Sequence, residues 1–321
     1  MGGDHAPRET IRGALSASAR GVDVVLVGDR ELLLEHLAAS GADLPIVHAA
    51  ETIGMDEDPA AAVRAKRNAS VTVAAGLVRS GEAAGMVSAG STGAALAAAS
   101  VIVGRIPGVA RPAIGTILPV GSPTVVMDVG ANVEVKPEHL GQFAVMGSTL
   151  ARVYLGLESP RVGLLNIGEE AGKGRELERK AHALLAALDG IEFVGNVEGR
   201  DLGTGAADVV VTDGFTGNVL LKVAEGTAMA IGREVMSALG ENADDPAYQQ
   251  ALAAVTPRLM ALRNRLDPEA YGGAHLVGVK GTVVIAHGAS SRIAISNALA
   301  MAAEGAERGL VHMIGEGVGG G

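Results

Sequence analysis

The chain has 321 residues, of which 48% are apolar and 19% charged, and its formal net charge is −10. This length suits one large α/β unit or two smaller ones, with a sizeable core in either case, and the acidity argues against a nucleic-acid-binding protein. The sequence contains no Cys, which excludes disulfides, zinc thiolate sites, iron–sulfur clusters and a cysteine nucleophile.

The first residues lack the basic and apolar regions of a secretory signal, so we expect a cytoplasmic protein. The longest apolar stretch, residues 92–104, is shorter than the roughly 20 residues that a membrane-spanning helix needs. Because the chain has 46 Gly but only three Tyr, three Phe and no Trp, we predict an aliphatic core and many tight turns.

Apolar runs of strand length alternate with longer segments of helical pattern along the chain. Asp58-Pro59 is typical of a helix start, because Asp caps the first turn and Pro suits the first helical position. In chain order we predict a strand at 22–28, a helix at 30–39, a strand at 45–49, a helix from 58, a strand at 84–90, a helix at 92–103, a strand at 123–128, a helix at 137–155, a strand at 161–166, a helix at 175–188, strands at 191–194, 208–212 and 283–286, and a helix at 290–303. Short β-branched runs between helices indicate a mostly parallel sheet covered on both faces, which is an open, doubly wound α/β/α fold.

Two regions depart from this alternation within what we predict to be one catalytic unit over residues 1–321. Residues 227–266 have a helical pattern with no strand, which predicts a helical hairpin projecting from the sheet. The glycine-rich end, residues 311–321, predicts a flexible tail.

Polar and glycine residues follow most of the predicted strands. In an open α/β sheet a ligand binds beyond the carboxyl ends of the strands. The loops of this composition are 88–93, 128–132, 166–170, 195–201, 213–218 and 287–291, and residues 2–5 would join them if a strand preceded them. We therefore expect an enzyme that handles a phosphate group on these loops.

Loop 88–93, Ser-Ala-Gly-Ser-Thr-Gly, has the sharpest pattern. Gly90 and Gly93 let the backbone come close to a ligand, and the hydroxyl groups of Ser88, Ser91 and Thr92 can donate hydrogen bonds. The helix that follows exposes N–H groups at its start, where an anion is favoured. This loop predicts a phosphate site, and the alternative is an ordinary helix N-cap.

Segment 168–174 resembles a Walker loop, but it is one residue short between its glycines and has Gly174 where Ser or Thr would hold magnesium. Lys173 is predicted either to bind an anion as a point charge or to be a solvated lysine on a turn.

Loop 213–218 places a carboxylate, a hydroxyl and an amide just before a helix, in Asp213, Thr216 and Asn218. Asp213 either positions a ligand or is a plain helix cap. His287, at the end of a strand, either binds substrate or forms a structural hydrogen bond. No His, Asp and Glu spacing predicts a metal site, and we expect no cofactor.

Taken together, these loops resemble one family, the bacterial phosphate acyltransferases of phospholipid synthesis (the PlsX family). The motifs that carry the resemblance, in the family's order from residue 1 to about residue 303, are Met-Gly-Gly-Asp-His-Ala-Pro, Ser-Ala-Gly-Ser-Thr-Gly-Ala, Asp-Val-Gly-Ala-Asn, Lys-Pro-Glu-His-Leu, Leu-Leu-Asn-Ile-Gly-Glu-Glu, Gly-Asn-Val-Glu-Gly-Arg-Asp, Asp-Gly-Phe-Thr-Gly-Asn-Val and Tyr-Gly-Gly-Ala.

The resemblance implies transfer of an acyl group from acyl carrier protein to inorganic phosphate. It also implies a homodimer, a fold similar to phosphotransacetylases and isocitrate dehydrogenase-like enzymes, and delivery of the acyl phosphate to a membrane glycerol-phosphate acyltransferase. Three features depart from the family pattern: no strand precedes the first motif, Ser91 stands where Asn is usual, and His275 stands where Pro is usual.

The reaction needs no acyl-enzyme, because phosphate is already an anionic nucleophile and a thioester has a good leaving group. Positioning and oxyanion stabilisation can then supply most of the acceleration. We expect Ser88, Ser91, Thr92 and Lys173 to bind phosphate, with Asp213 positioning donors. Asn132, Asn166 and Asn218 are expected to orient the acyl carbonyl or the phosphate. The remaining predicted substrate-binding residues are Asp4, His5, Gly90, Gly93, Thr216 and His287.

The predicted hairpin is the candidate docking element. Arg258, Arg263 and Arg265 could steer an acidic carrier protein. Its apolar residues could instead touch the membrane peripherally or a second subunit, and an ordinary buried dimer helix is the plain alternative. Rival functions are a coenzyme-A-dependent phosphotransacetylase, a hydroxy-acid dehydrogenase of related fold, and a non-catalytic carrier-protein scaffold.

Overall fold

The structure is a computed structural model, and it describes residues 2–240 and 245–319. The strands are β1 (Leu26–Gly28), β2 (Ile46–His48), β3 (Gly85–Ser88), β4 (Ala113–Leu118), β5 (Thr124–Met127), β6 (Arg161–Leu165), β7 (Glu192–Val197), β8 (Val209–Val211), β9 (Ala274–Val277) and β10 (Thr282–Ile285). The helices are α1 (Arg8–Ser18), α2 (Arg30–Ser40), α3 (Pro59–Ala65), α4 (Ser70–Ser80), α5 (Thr92–Ala98), α6 (Pro137–Leu155), α7 (Glu176–Ala186), α8 (Gly214–Gly240), α9 (Pro246–Leu266), α10 (Arg292–Glu307) and α11 (Leu310–Gly319).

Local sequence sets several of these boundaries. Pro137 occupies the first turn of α6, where its missing N–H costs nothing, and Gly156 ends that helix in the left-handed conformation with φ of 69°. Asp29 starts α2, because its side chain accepts a hydrogen bond from the Leu32 N–H at 3.0 Å.

The main sheet has eight strands in the order β3-β10-β9-β4-β5-β8-β6-β7. The predicted α/β fold with a mostly parallel sheet is confirmed. The sheet is mixed, however, because β9 and β4 pair antiparallel with their neighbours. As a result β3, β10 and β4 run in one direction, whereas β9, β5, β8, β6 and β7 run in the other.

Helices cover both faces of this sheet. On β5, Val125 and Met127 point into the core beneath α6, α7, α10 and α11, while Val126 between them joins the opposite core beneath α4 and α5. Alternation along the strand places these side chains on opposite faces. The predicted strands at 22–28 and 45–49 lie outside the main sheet, because β1 and β2 pair only with each other in the part of the chain described.

The predicted flexible tail is wrong for residues 311–319, which continue α11; residues 320–321 lie outside the described residues. Leu310 and Ile314, one helical turn apart, are buried. The glycines permit close packing, since a Cβ added to Gly317 would lie 2.8 Å from Val145 Cγ1 on α6.

Helices α8 and α9 occupy residues 227–240 and 246–266 of the predicted helical excursion, and residues 241–244 lie outside the described residues. Helix α8 begins earlier than predicted, at Gly214. In α9 no described residue is buried, and in α8 only Gly214 and Gly217 are. The two helices are joined by a hydrogen bond from Tyr248 Oη to the Leu239 carbonyl at 3.0 Å. No described helix is both long and apolar enough to cross a membrane.

Candidate active site

The predicted site loops fall at two opposite ends of the strands. Loops 88–93 and 287–291 follow β3 and β10, whereas loops 128–132, 166–170 and 213–218 follow β5, β6 and β8, which run the other way. We name the two groups of loops the Ser88 end and the Asp213 end. Ser88 and Lys173 therefore lie at opposite ends of the strands, and not side by side at one end as predicted.

At the Ser88 end three chain segments converge. The Asp4 N–H donates to the Gly288 carbonyl at 2.8 Å, and a Cβ added to Gly3 would lie 3.0 Å from the Ala89 carbonyl oxygen. Residues 2–4 thus lie against both predicted loops, and the absence of a side chain at Gly3 permits the close approach. The side chains of Asp4, His5 and His287 are exposed.

Loop 88–93 shapes the start of α5. Ser91 Oγ accepts a hydrogen bond from the Ala94 N–H at 3.3 Å, so it caps the helix, as the plain alternative predicted. Ser88 Oγ lies 3.4 Å from the Gly90 N–H, and Thr92 is exposed. A Cβ at Gly93 would come within 2.7 Å of Pro59, so Gly93 lets the loop pack on α3.

At the Asp213 end a fully buried carboxylate organises the loop after β5. Asp128 accepts hydrogen bonds from the backbone N–H groups of Ile114, Gly130, Ala131 and Asn132. Burial raises the pKa of Asp128, and the N–H donors oppose that rise. Asn132 Nδ2 donates to the Asp128 carboxylate at 2.9 Å and to the Pro112 carbonyl at 2.8 Å, so both of its amide protons are engaged inside the protein.

Loop 166–174 is closed by the side chain of Asn166. Its Nδ2 donates to the Lys173 carbonyl at 3.1 Å, and its Oδ1 accepts from the Ile167 N–H at 2.8 Å. The ammonium group of Lys173 lies 3.9 Å from Glu170 Oε2, and its side chain is half exposed. Asn166 therefore shapes the loop, while Lys173 stays accessible to an anion.

Asp213 joins this loop to the start of α8. It accepts hydrogen bonds from the Thr216 N–H at 2.8 Å and from Thr216 Oγ1 at 2.9 Å. Arg175 Nη2 also donates to it at 2.6 Å. Burial would raise the pKa of Asp213, but these donors and the guanidinium charge hold it below the usual value. Asn218, one turn into α8, is exposed.

Arg175 is a candidate that the sequence interpretation missed. Its guanidinium is held by Glu178, with Nε to Oε1 at 2.9 Å, and by Asp213, yet 63% of the side chain is exposed. The hydrogen bonds that the guanidinium donates to Glu178, and then those to Asp213, raise the pKa of Arg175 further above its usual value. Nη1 has no hydrogen-bond partner among residues 2–240 and 245–319. The guanidinium of Arg175 is thus a permanently charged group held in one position, and its Nη1 donors can still bind a ligand.

An Arg followed three residues later by Glu at a helix start is a local signal that could have pointed to this pair. The contact with Asp213 could not be found this way, because 38 positions separate the two residues. In the described residues, no three His, Asp or Glu side chains lie close enough to hold a metal ion.

Residues 1–313 match the family model described as "Fatty acid synthesis protein". The chain belongs to this family. Relatives named phosphate acyltransferase are 50% identical in Desulforamulus reducens, over 98% of this chain and 95% of that protein, and 46% identical in Nostoc punctiforme, over 98% and 93%.

Solved structures share the fold of this family member at lower identity. A phosphotransacetylase from Streptococcus pyogenes superposes with a TM-score of 0.63 at 18% identity, covering 94% of this chain and 92% of that chain. A branched-chain phosphotransacylase from Enterococcus faecalis gives 0.58 at 17% identity, covering 95% and 96%. The predicted likeness to the phosphotransacetylase fold is confirmed.

Proposed function

We propose that the protein is a phosphate acyltransferase that transfers a fatty acyl group from acyl carrier protein to inorganic phosphate. The observation that carries this proposal is the likeness to a relative named phosphate acyltransferase, at 50% identity over 98% of the chain. The products are an acyl phosphate and the free carrier thiol. The acyl phosphate would then pass to a membrane glycerol-phosphate acyltransferase.

The chemistry is a direct displacement at the thioester carbonyl. A phosphate oxygen attacks the carbonyl carbon, a C–O bond forms, and the electron pair of the C–S bond leaves with sulfur, which takes up a proton. A chain with no Cys has no thiol that could carry the acyl group in between. Rate acceleration then depends on holding the two reactants together and on stabilising the tetrahedral oxyanion.

Arg175 is the best-placed residue for the oxyanion or for an anionic oxygen of phosphate. Asp213 and Glu178 fix its guanidinium from one side, so the free Nη1 donors need little reorganisation to bind a developing negative charge. Lys173, half exposed on the neighbouring loop, supplies a second cation. Asn132 and Asn166 support the loops, since their amide groups bond within the protein.

The serines and Thr92 at the Ser88 end remain a proposed second anion-binding group. Helix α5 begins at that end, whereas α8 begins at the Asp213 end, and both contribute side chains to the same core on one face of the sheet. We propose that the substrates lie along this face, with Asp4, His5, Thr92 and His287 at one end and Thr216 and Asn218 at the other.

The deciding assay measures release of carrier thiol from a long-chain acyl carrier protein, with and without inorganic phosphate, and with acyl coenzyme A in parallel. The proposal expects release that requires phosphate and favours the carrier-bound donor. Preference for acyl coenzyme A would instead identify a phosphotransacetylase. Binding of the carrier without any thiol release from a folded sample would indicate a scaffold.

The hairpin of α8 and α9 is proposed to dock the protein partners. Arg258, Arg263 and Arg265 lie exposed on α9, where they can attract an acidic carrier protein. Replacing all three by Ala should raise the KM for acyl carrier protein at low salt and flatten its dependence on ionic strength. An unchanged salt dependence would remove these residues from the docking role.

We also propose a cytoplasmic homodimer with peripheral membrane contact. Large apolar side chains of α8 are exposed, among them Val223 (60%), Met229 (62%) and Ile231 (59%). A stretch of exposed apolar residues on one long helix is typical of an interface. We propose that a second subunit covers these exposed side chains of α8.

A further inference from the structure

A cavity lies beside loop 195–201, a motif that has no role in the chemistry proposed above. Residues 195–197 form the end of β7, an edge strand of the main sheet, and residues 198–201 follow it. The cavity measures about 420 Å³, which lies within the range of small-molecule sites. It is lined by Glu169, Val194, Asn196, Val197, Asp201 and Ala206.

Asn196 is the residue that points to a ligand. Its side chain is 6% exposed, and its Nδ2 donates to the Glu170 carbonyl at 2.8 Å. Its Oδ1 is buried and accepts no hydrogen bond from the residues that the structure describes. A buried acceptor without a donor is destabilising, so a ligand that brings an N–H group would be favoured here.

The other lining groups narrow the chemistry of that ligand. Glu169 and Asp201 are carboxylates, which accept hydrogen bonds and repel anions. Val194, Val197 and Ala206 make the remaining walls apolar. Strand β7 pairs only with β6 in the described sheet, so one side of its backbone can bond an extended chain. An uncharged chain carrying amide groups fits all of these features.

We propose that this cavity binds the pantetheine arm of the acyl donor. This inference rests on the proposed function, in which the acyl group arrives as a thioester on acyl carrier protein. The arm is an uncharged chain with two amides, each of which offers one N–H and one carbonyl. Its two amide N–H groups would donate hydrogen bonds to Asn196 Oδ1 and to the carboxylates of Glu169 and Asp201.

The cavity is connected to the candidate active site through one carbonyl group. The Glu170 carbonyl accepts hydrogen bonds from Asn196 Nδ2 at 2.8 Å and from the Lys173 N–H at 3.0 Å. A chain leaving the cavity along this loop would bring its thioester towards Lys173. The cavity thus positions the donor, and the cations position the anionic groups.

Arg200 supplies a cation for the phosphate that joins the arm to the carrier protein. Its Nη2 lies 3.9 Å from Glu169, and both side chains are 71% exposed. Arg200 therefore lies next to a lining residue and faces solvent, where the attached carrier protein would be.

The test fills the cavity without touching a buried side chain. Ala206 is exposed and lines the cavity, so Ala206→Leu narrows it, while Ala183→Leu on the exposed side of α7 is the matched control. The donors are a medium-chain acyl-pantetheine and the same acyl group on acyl carrier protein. We expect Ala206→Leu to raise the KM for both donors by about tenfold, a loss of about 1.4 kcal/mol in binding, with the phosphate KM unchanged.

A second variant separates the arm from its phosphate. Arg200→Ala should raise the KM for acyl carrier protein alone, because acyl-pantetheine has no phosphate. If Ala206→Leu behaves like Ala183→Leu with both donors while the wild type is active, the pantetheine site is overturned and the acyltransferase function stands. If the wild type itself releases no thiol in the presence of phosphate, the proposed function fails instead.

Discussion

Arg175 is expected to matter most among single residues for the rate of acyl transfer. Replacing it by Ala should lower kcat by about a hundredfold, the cost of removing one donor from an oxyanion. Lys180→Ala is the matched control, because Lys180 lies on α7, directly after Arg175 in the chain, and its ammonium group pairs with the exposed side chain of Glu176. Steady-state kinetics with saturating acyl carrier protein and phosphate measure the change.

The conservative variant separates a chemical role from a structural one. Arg175→Lys keeps the charge but loses the fork that spans Glu178 and Asp213. Partial recovery of kcat, with thermal stability equal to that of Arg175→Ala, would support contact with the reacting anion. A loss of stability in both variants with no effect on kcat would mean that Arg175 only holds the loop.

His275 should make folding stability depend on pH. Its ring is fully buried, stacks on Tyr154 at 4.5 Å, and has no hydrogen-bond partner for either nitrogen among the described residues. Burial lowers the pKa of His275 to about 3, so the folded state keeps the ring neutral while the unfolded state protonates it near pH 6.5. The stability that the folded state gains by keeping this ring neutral is fully present above pH 6.5. It is lost progressively as the pH falls towards 3.

At pH 5 this loss should amount to about 2 kcal/mol of unfolding free energy. The check is urea unfolding at pH 8 and pH 5 for the wild type and His275→Phe. The variant should keep the aromatic stack and lose the part of the pH dependence that His275 causes. Identical pH slopes in the two proteins would show that His275 does not titrate on unfolding in this range.

The sequence could point to individual site residues but not to their donors and acceptors. Asp213 was predicted as a positioning carboxylate or a cap, and it is bonded to both Thr216 and Arg175. Asn132 was predicted to orient the substrate, yet both its amide protons bond to Asp128 and Pro112. Pro112 lies 20 positions away, just before β4, so this contact leaves no local pattern in the sequence.

At the scale of elements, the strands that the sequence analysis missed are the ones that reverse the sheet. β4 and β9 were not predicted, and they are antiparallel to their neighbours. Without these two strands, the sequence predicts that every strand–helix pair points the same way and that the polar loops share one row of strand ends. Strand pairing is set by contacts distant in sequence, and the apolar pattern of a single strand does not encode its direction.

Ile314 of helix α11 is buried in the core. Ile314→Ala should destabilise the protein by about 2–4 kcal/mol, because a buried side chain packed on the core is removed. His312→Ala, on the exposed side of the same helix, should change stability little. Chemical denaturation compares the two variants. If Ile314→Ala destabilised the protein no more than His312→Ala, residues 311–319 would be a tail that does not contribute to the core.

At the scale of the whole molecule, α8 presents apolar side chains that the described chain does not cover. Ile231 and Met236 are 59% and 56% exposed. A charged group placed there would have to be desolvated in a subunit interface, whereas on a free surface it would be hydrated. The effect of such a substitution therefore reports directly on whether a second copy lies against the helix.

We predict that Ile231→Asp shifts the protein from dimer to monomer, with the helical circular dichroism retained. Ser237→Asp is the matched control, because Ser237 is exposed and projects from a different side of α8. Sedimentation velocity over a range of concentrations measures the equilibrium. A wild type that sediments as a monomer would contradict the dimer. A dimer unaffected by Ile231→Asp would place its interface elsewhere, leaving the exposed apolar residues of α8 for the membrane.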